Sequence, residues 1–193
     1  MIEPNFEAAK TYLGSGTVEH LAEQILRGAP WFCEQVGVDF LQWSRDILTA
    51  KDFPGTAALH LVGSAANGFS LAPEKAGAPF RMLQMGEKPS DLDFCLVDQQ
   101  LFMQAWDSIV REDQVLHLNG RFDAVRIRVY WGRIEQSQVP QVQRARLRTL
   151  IDTIRRTPEY RGYSASIRVY RRRQDLLGYT LWCLAKLKRA IGQ

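Results

Sequence analysis

LHLVGSAANG at residues 59–68 and PSDLDFCLV at residues 89–97 decide the fold. Each joins an apolar run to small or acidic residues. Ala58–Val62 reads as a short apolar strand ended by Gly63-Ser64, and Ala65–Leu71 has the length of one or two helical turns. Leu92–Val97 reads as a second strand. Asp91 and Asp93 stand two apart along it, so their side chains share one face. A strand interior repels charge, so two like charges there need a compensating partner.

Working outward, Thr17–Arg27 has helical spacing, with Thr17 as its cap and Val18, Leu21, Ala22 and Ile25 as its stripe. Pro30 opens a second helical stretch with Trp31, Val38, Leu41 and Ile47 as inward residues, weakened in its middle by Gly37. Asp52-Phe53-Pro54-Gly55 is a turn. Residues 72–90 are rich in proline and glycine and read as a loop or small hairpin. Gln99–Arg111 returns to helical spacing through Leu101, Phe102, Ala105 and Ile109. Val115–Leu118 and Ala124–Trp131 read as strands joined at the tight-turn pair Asn119-Gly120. Val139–Thr157 is a basic helix, Ala165–Tyr170 an alternating strand, and Gln174–Ile191 a final helix with Leu177, Leu181, Leu184 and Leu187 inward. Trp43, Trp106 and Trp182 lie at helical spacing with aliphatic residues and read as core or interface.

The expected fold is α/β of the α+β kind: one mixed sheet flanked by helices, in a single domain. It has a helical part at 1–52, a motif-bearing core at 58–131 and a basic part at 137–193. The chain of 193 residues is long enough for a substantial core. No stretch approaches the roughly 20 apolar residues of a membrane span. The polar, acidic start MIEPNFEAAK lacks the pattern of a secretory leader, so the expectation is a cytoplasmic protein with no membrane partner. Cys33, Cys95 and Cys183 are far apart, form no CxxC pair and read as small buried hydrophobes. His20, His60 and His117 have no metal-ligand spacing, and His60, in the strand before Gly63, reads as a core histidine ahead of one that reaches the site. No GxSxG, Cys/His pair or Walker loop supports hydrolase or P-loop chemistry.

Gly-Ser after an apolar strand, followed by Asp-x-Asp on a later strand, resembles the nucleotidyltransferase fold of the DNA polymerase β superfamily, in its small stand-alone bacterial form. The residues that carry the resemblance are Gly63, Ser64, Gly68, Asp91 and Asp93. It implies a metal-bound nucleoside triphosphate, ATP first among them, with Mg²⁺ or Mn²⁺. It also implies transfer of a nucleotidyl group to a hydroxyl on RNA, on a protein or on a small molecule. Small members of this superfamily occur in bacterial toxin–antitoxin and defence systems. The residues suit that use. Glycine lets the backbone approach phosphates, Ser64 can donate to a phosphate oxygen, and a following helix aims its N–H groups at the same place. Paired aspartates offer the oxygen ligands a hard cation prefers. Gly63 and Asp91 are 28 positions apart, longer than the resemblance implies, so residues 72–90 are expected to cap the site or meet the acceptor.

Active members of that superfamily carry a third carboxylate on a neighbouring strand. The strand expected there, VRIRVYW, offers Arg126 and Arg128 on its polar face. Asp123, just before it, is the adjacent acidic candidate, with the parity of the apolar face unless a bulge intervenes. Either Asp123 completes a catalytic set with Asp91 and Asp93, or a carboxylate comes from elsewhere, or the fold binds without catalysis.

Charge is the second signal. Residues 1–120 hold 8 Lys/Arg and 16 Asp/Glu, a balance of −8, whereas residues 121–193 hold 17 and 5, a balance of +12. Arg144, Arg148, Arg155, Arg171 and Arg172 form the expected basic patch, with Tyr160, Tyr163 and Tyr170 interleaved. Such a patch binds RNA backbone or a nucleotide, or it pairs with the acidic half of the chain. An oligomer assembled through the aromatic helices is the third expectation.

Overall fold

The computed structural model describes residues 6–116, 128–139 and 141–192. The protein is a mixed α/β structure built on a four-stranded sheet. Strands β1 (Ala58–Val62), β2 (Leu92–Val97), β3 (Arg133–Glu135) and β4 (Ala165–Tyr170) lie in the order β1-β2-β4-β3. β2 runs antiparallel to β1 and parallel to β4, and β3 is antiparallel to β4. The bounds of β1, β2 and β4 are those read from the sequence. Parallel neighbours need a crossover, and that connection carries α6 (Gln99–Leu116) and α7 (Gln141–Arg156).

Ahead of the sheet come α1 (Phe6–Gly14), α2 (Val18–Arg27), α3 (Trp31–Val36) and α4 (Phe40–Thr49). The single turn α5 (Ser64–Asn67) follows β1, and α8 (Arg173–Ala190) closes the chain. Thr17 caps α2 as expected, accepting a hydrogen bond from the His20 N–H. The stretch opened by Pro30 is two helices rather than one. Gly37 adopts a left-handed conformation that ends α3, and the Asp39 carboxylate caps α4 by accepting from the Gln42 N–H. That restart changes the helical phase. Leu41, expected inward, is 53% exposed, and Phe40, Ile47 and Leu48 enter the core. Asp98, just past β2, is buried and caps α6 through Leu101 N–H.

Strict alternation splits the sheet into two faces. Leu59, Leu61, Leu92, Phe94, Leu96, Ile134, Ala165, Ile167 and Val169 belong to the main core, with Phe102 and Ile109 of α6, Leu147, Leu150, Ile151 and Ile154 of α7, and Tyr160. On the opposite face cross-strand rows run Val62–Asp93–Ser166 and His60–Cys95–Arg168–Glu135. This face is covered at one end by Leu26 of α2 and Leu176 of α8, which pack with Cys95, Val97 and Tyr170.

Two expected strands are corrected. α6 runs on to Leu116, so Val115 and Leu116 are helical. Arg128–Tyr130 is a helical turn with Tyr130 exposed. Residues 117–127, with His117, Asn119-Gly120, Asp123 and Arg126, lie outside the described residues, and Trp131 is a turn residue, 44% exposed. Alternation alone does not make a strand; it needs an edge to pair with. The free edge of β4 is taken by Arg133–Glu135 instead, directly after Gly132. As a result the neighbour of the aspartate strand comes from the basic C-terminal part, and the sheet is not contained within residues 58–131.

Candidate functional site at the β1–α5 turn and the start of β2

Three elements converge where β1 ends, β2 begins and α8 passes over the polar face of the sheet. Between them lies a cleft of about 820 Å³, whose walls include Gly63, Ser64, Asp91, Asp93, Arg168 and Trp182. The Pro- and Gly-rich segment forms a further wall through Lys75, Arg81 and Lys88. This segment is an anchored loop, closed by the mutual hydrogen bonds of Arg81 and Ser90. Phe80, within the loop, is buried against Phe32 and Tyr163, and Tyr163 Oη accepts from the Leu83 N–H.

Gly63 holds the turn together with φ 68° and ψ −149°, a region open essentially to glycine alone. A Cβ at this position would lie 3.4 Å from Asp93 Oδ2. That distance is ordinary contact, so the backbone conformation, not crowding against Asp93, is what requires glycine here. Asn67 Nδ2 donates to the Gly63 carbonyl at 3.1 Å and fixes the turn from behind. Gly68 has a different job. It ends α5 in the left-handed region, and a Cβ there would lie 3.0 Å from the Trp31 indole, so it serves close packing and is absent from the cleft walls. The helix that begins at Ser64 is a single turn, shorter than the expected Ala65–Leu71, so the polar groups at this end of the cleft are Ser64 and the side chains around it.

Asp91 is exposed and Asp93 is half-buried, both on the cleft wall. Ser166 Oγ donates to Asp93 Oδ1 at 2.7 Å, and an Arg168 NH₂ group lies 3.7 Å from the same oxygen. Arg168 Nε also donates to Glu135 Oε2 at 3.2 Å. Burial works against the Arg168 charge, but the carboxylates of Asp93 and Glu135 outweigh it and hold the proton more firmly than usual. The strand beside β2 thus presents a hydroxyl and a cation opposite Asp93. The sequence places Arg168 only in the basic part at 137–193, yet its parity with Ser166 in SIRVY turns both toward Asp93 once β4 pairs with β2.

The chemistry of this donor set can be tested against a metal ion. Mg²⁺ keeps several waters and is commonly held by one or two carboxylates together with substrate phosphates. Asp91 and Asp93 suit one such ion, with Asp93 Oδ2 turned toward Gly63. Among the described residues no three His, Cys, Asp or Glu side chains come together as a metal site. No family model, curated protein or solved structure matches this chain.

The expected basic patch is mostly occupied. Arg144 donates to the Val139 and Ser137 carbonyls, and Arg155 to the Ala165 carbonyl. Arg171 and Arg172 both clasp Asp175. Burial opposes the Asp175 charge, and the two guanidinium groups outweigh it and lower its pKa. Arg148 is exposed. Arg146 stacks on Phe53 and donates to the Asp52 carbonyl. Among the described residues two ion pairs join the acidic and basic halves: Arg173 with Glu23, between α8 and α2, and Arg168 with Asp93.

The sequence reading passed over the aromatic wall. Tyr179, Trp182, Cys183 and Lys186 line the cleft from one side of α8. Their spacing of three, four and seven residues was legible, but Trp182 read as core or interface; it is 45% exposed and lines the cleft. The cysteines follow expectation at Cys33 and Cys95, which are buried, with burial pushing the Cys95 thiol up to about 12. Cys183 is only partly buried.

Proposed function

We propose that the protein binds a nucleoside triphosphate with Mg²⁺ or Mn²⁺ in this cleft and transfers its nucleotidyl group to a hydroxyl acceptor. The new bond forms at the α-phosphorus as the bond to the β-phosphate breaks, and pyrophosphate and the hydroxyl proton leave. The observation that carries the reading is the approach of Gly63 to Asp93. A turn that only glycine can make sits against a carboxylate-bearing strand, which sets Ser64 and the aspartate pair in one cleft. Asp91 and Asp93 would hold the metal, which supplies positive charge at the phosphates when bound. Ser64 donates to a phosphate oxygen, and Lys75, Arg81 and Lys88 neutralise the remaining charge. ATP is the first candidate nucleotide. The acceptor is a hydroxyl of RNA, protein or a small molecule.

Arg168 favours a second reading, nucleotide binding without transfer. A guanidinium bound to Asp93 from the neighbouring strand repels a further cation at the point where the resemblance calls for a third carboxylate.

The test pairs two measurements on the whole chain. Calorimetry follows ATP binding with and without Mg²⁺, and α-labelled nucleoside triphosphates are offered to total RNA and to cell lysate. Transfer is expected from the native chain and is lost in the Asp91→Asn/Asp93→Asn variant. Metal-dependent binding with no transfer makes the second reading the correct one. Absence of binding overturns both.

A further inference from the structure

We infer that the exposed aromatic face of α8 is a nucleobase platform, with Trp182 stacking the base of the nucleoside triphosphate whose phosphates meet Ser64 and the aspartates; this rests on the nucleotide reading above. Trp182 is a large aromatic left 45% exposed inside a cleft rather than on a convex surface. It is not a loose side chain. Its ring stacks on Tyr179 at 5.8 Å with 27° between planes. Tyr179 is in turn covered by the Arg133 guanidinium, 4.2 Å from its ring centroid. α8 itself is clamped to α2 by Leu184 and Leu187 and by the Arg173–Glu23 pair. A pre-organised aromatic surface loses little entropy when a flat ligand lands on it.

Charge identifies the ligand's other end. The cleft walls carry Lys75, Arg81, Lys88, Arg168 and Lys186 against Glu74, Asp91 and Asp93, five cationic side chains to three acidic ones. Lys186 Nζ lies 4.9 Å from the Trp182 ring centroid, so one ammonium already stands at the platform. A ligand that satisfies both ends is flat and aromatic at one and polyanionic at the other. A nucleoside triphosphate has that shape, and the cleft volume lies within the roughly 300–1,000 Å³ of small-molecule sites. Stacking is tolerant of base identity because every base has a π face. The platform therefore supplies affinity for a nucleoside over bare phosphates, with weak choice among the four bases.

The experiment compares Mg²⁺–ATP with Mg²⁺–tripolyphosphate as probes, on the native chain, Trp182→Leu and Trp182→Phe. The native chain is expected to bind ATP more tightly than tripolyphosphate by roughly 5- to 150-fold, the worth of one base–aromatic stack. Trp182→Leu removes that preference and leaves tripolyphosphate affinity unchanged; Trp182→Phe retains most of it. If both probes bind the native chain equally, or if Trp182→Leu keeps the preference, the platform is overturned while the phosphate site stands. If neither probe binds the native chain, the nucleotide reading itself fails and takes the platform with it. Unchanged tripolyphosphate binding also reports that the leucine variant is folded. Should that variant lose both ligands, Trp182→Phe decides: retained preference supports the platform, and equal binding of the two probes overturns it.

Discussion

The two faces of one four-stranded sheet do different work. On one, Leu61, Leu92, Phe94, Leu96, Ile167 and Val169 are sealed against α6 and α7. On the other, β2 and β4 carry Asp93, Ser166 and Arg168, left half-open to a cleft. The strands are the same and only the parity differs. The sealed face supplies stability, because burial of apolar area is the main favourable term in folding. The open face can then hold charges that a fully covered strand could not.

The largest break in this contrast is expected from Phe94→Ala. Its ring is fully buried beside Trp43 and Tyr160, so truncation should cost about 3–5 kcal/mol by chemical denaturation. An equal cost from truncating Asp93 would mean that the two faces do not divide their work in this way.

A second expectation concerns acid. His60 lies on the polar face but is largely buried, and burial, aided by the nearby Arg173 charge, lowers its pKa to about 4. The unfolded chain takes up this proton near the ordinary value of 6.5, and the folded chain only near 4. The stability that depends on neutral His60 is fully present above 6.5. It falls as pH drops from there to about 4, by up to about 3 kcal/mol. Urea midpoints measured at steps across that window should show the slope, and His60→Gln should remove it.

The smallest effect on stability, and the sharpest on the site, belongs to Arg168→Gln. The Arg168–Asp93 pair is partly exposed, so its loss should change unfolding free energy by about 1 kcal/mol or less. Removing the guanidinium frees Asp93 for a metal and should raise Mg²⁺ affinity by about tenfold in a titration. An unchanged affinity would separate the ion pair from the proposed metal site.

Much of the fold was legible locally. Ala58–Val62, Leu92–Val97 and Ala165–Tyr170 are runs whose composition and flanks leave little choice, and each stands where its pattern puts it. The segment VRIRVYW shows the limit. Its alternation is as clear as that of SIRVY, yet Arg128–Tyr130 is helical because pairing partners, not alternation, select strands. Arg168 and Trp182 were hidden for a related reason. A charged residue on a strand or an aromatic on a helix acquires meaning only from what lies opposite, and that neighbour is 75 residues away for Arg168 and Asp93.

By itself, the sequence determined the α/β class, the positions of the three long strands and the glycine turn at Gly63. These follow from periodicity and backbone sterics, which act over a few residues. Only the tertiary structure decided that β4 lies beside β2, that Ser166 and Arg168 stand opposite Asp93, and that α8 turns Trp182 into the cleft. Those choices depend on which distant surfaces bury one another best, a competition among whole elements that no local pattern encodes.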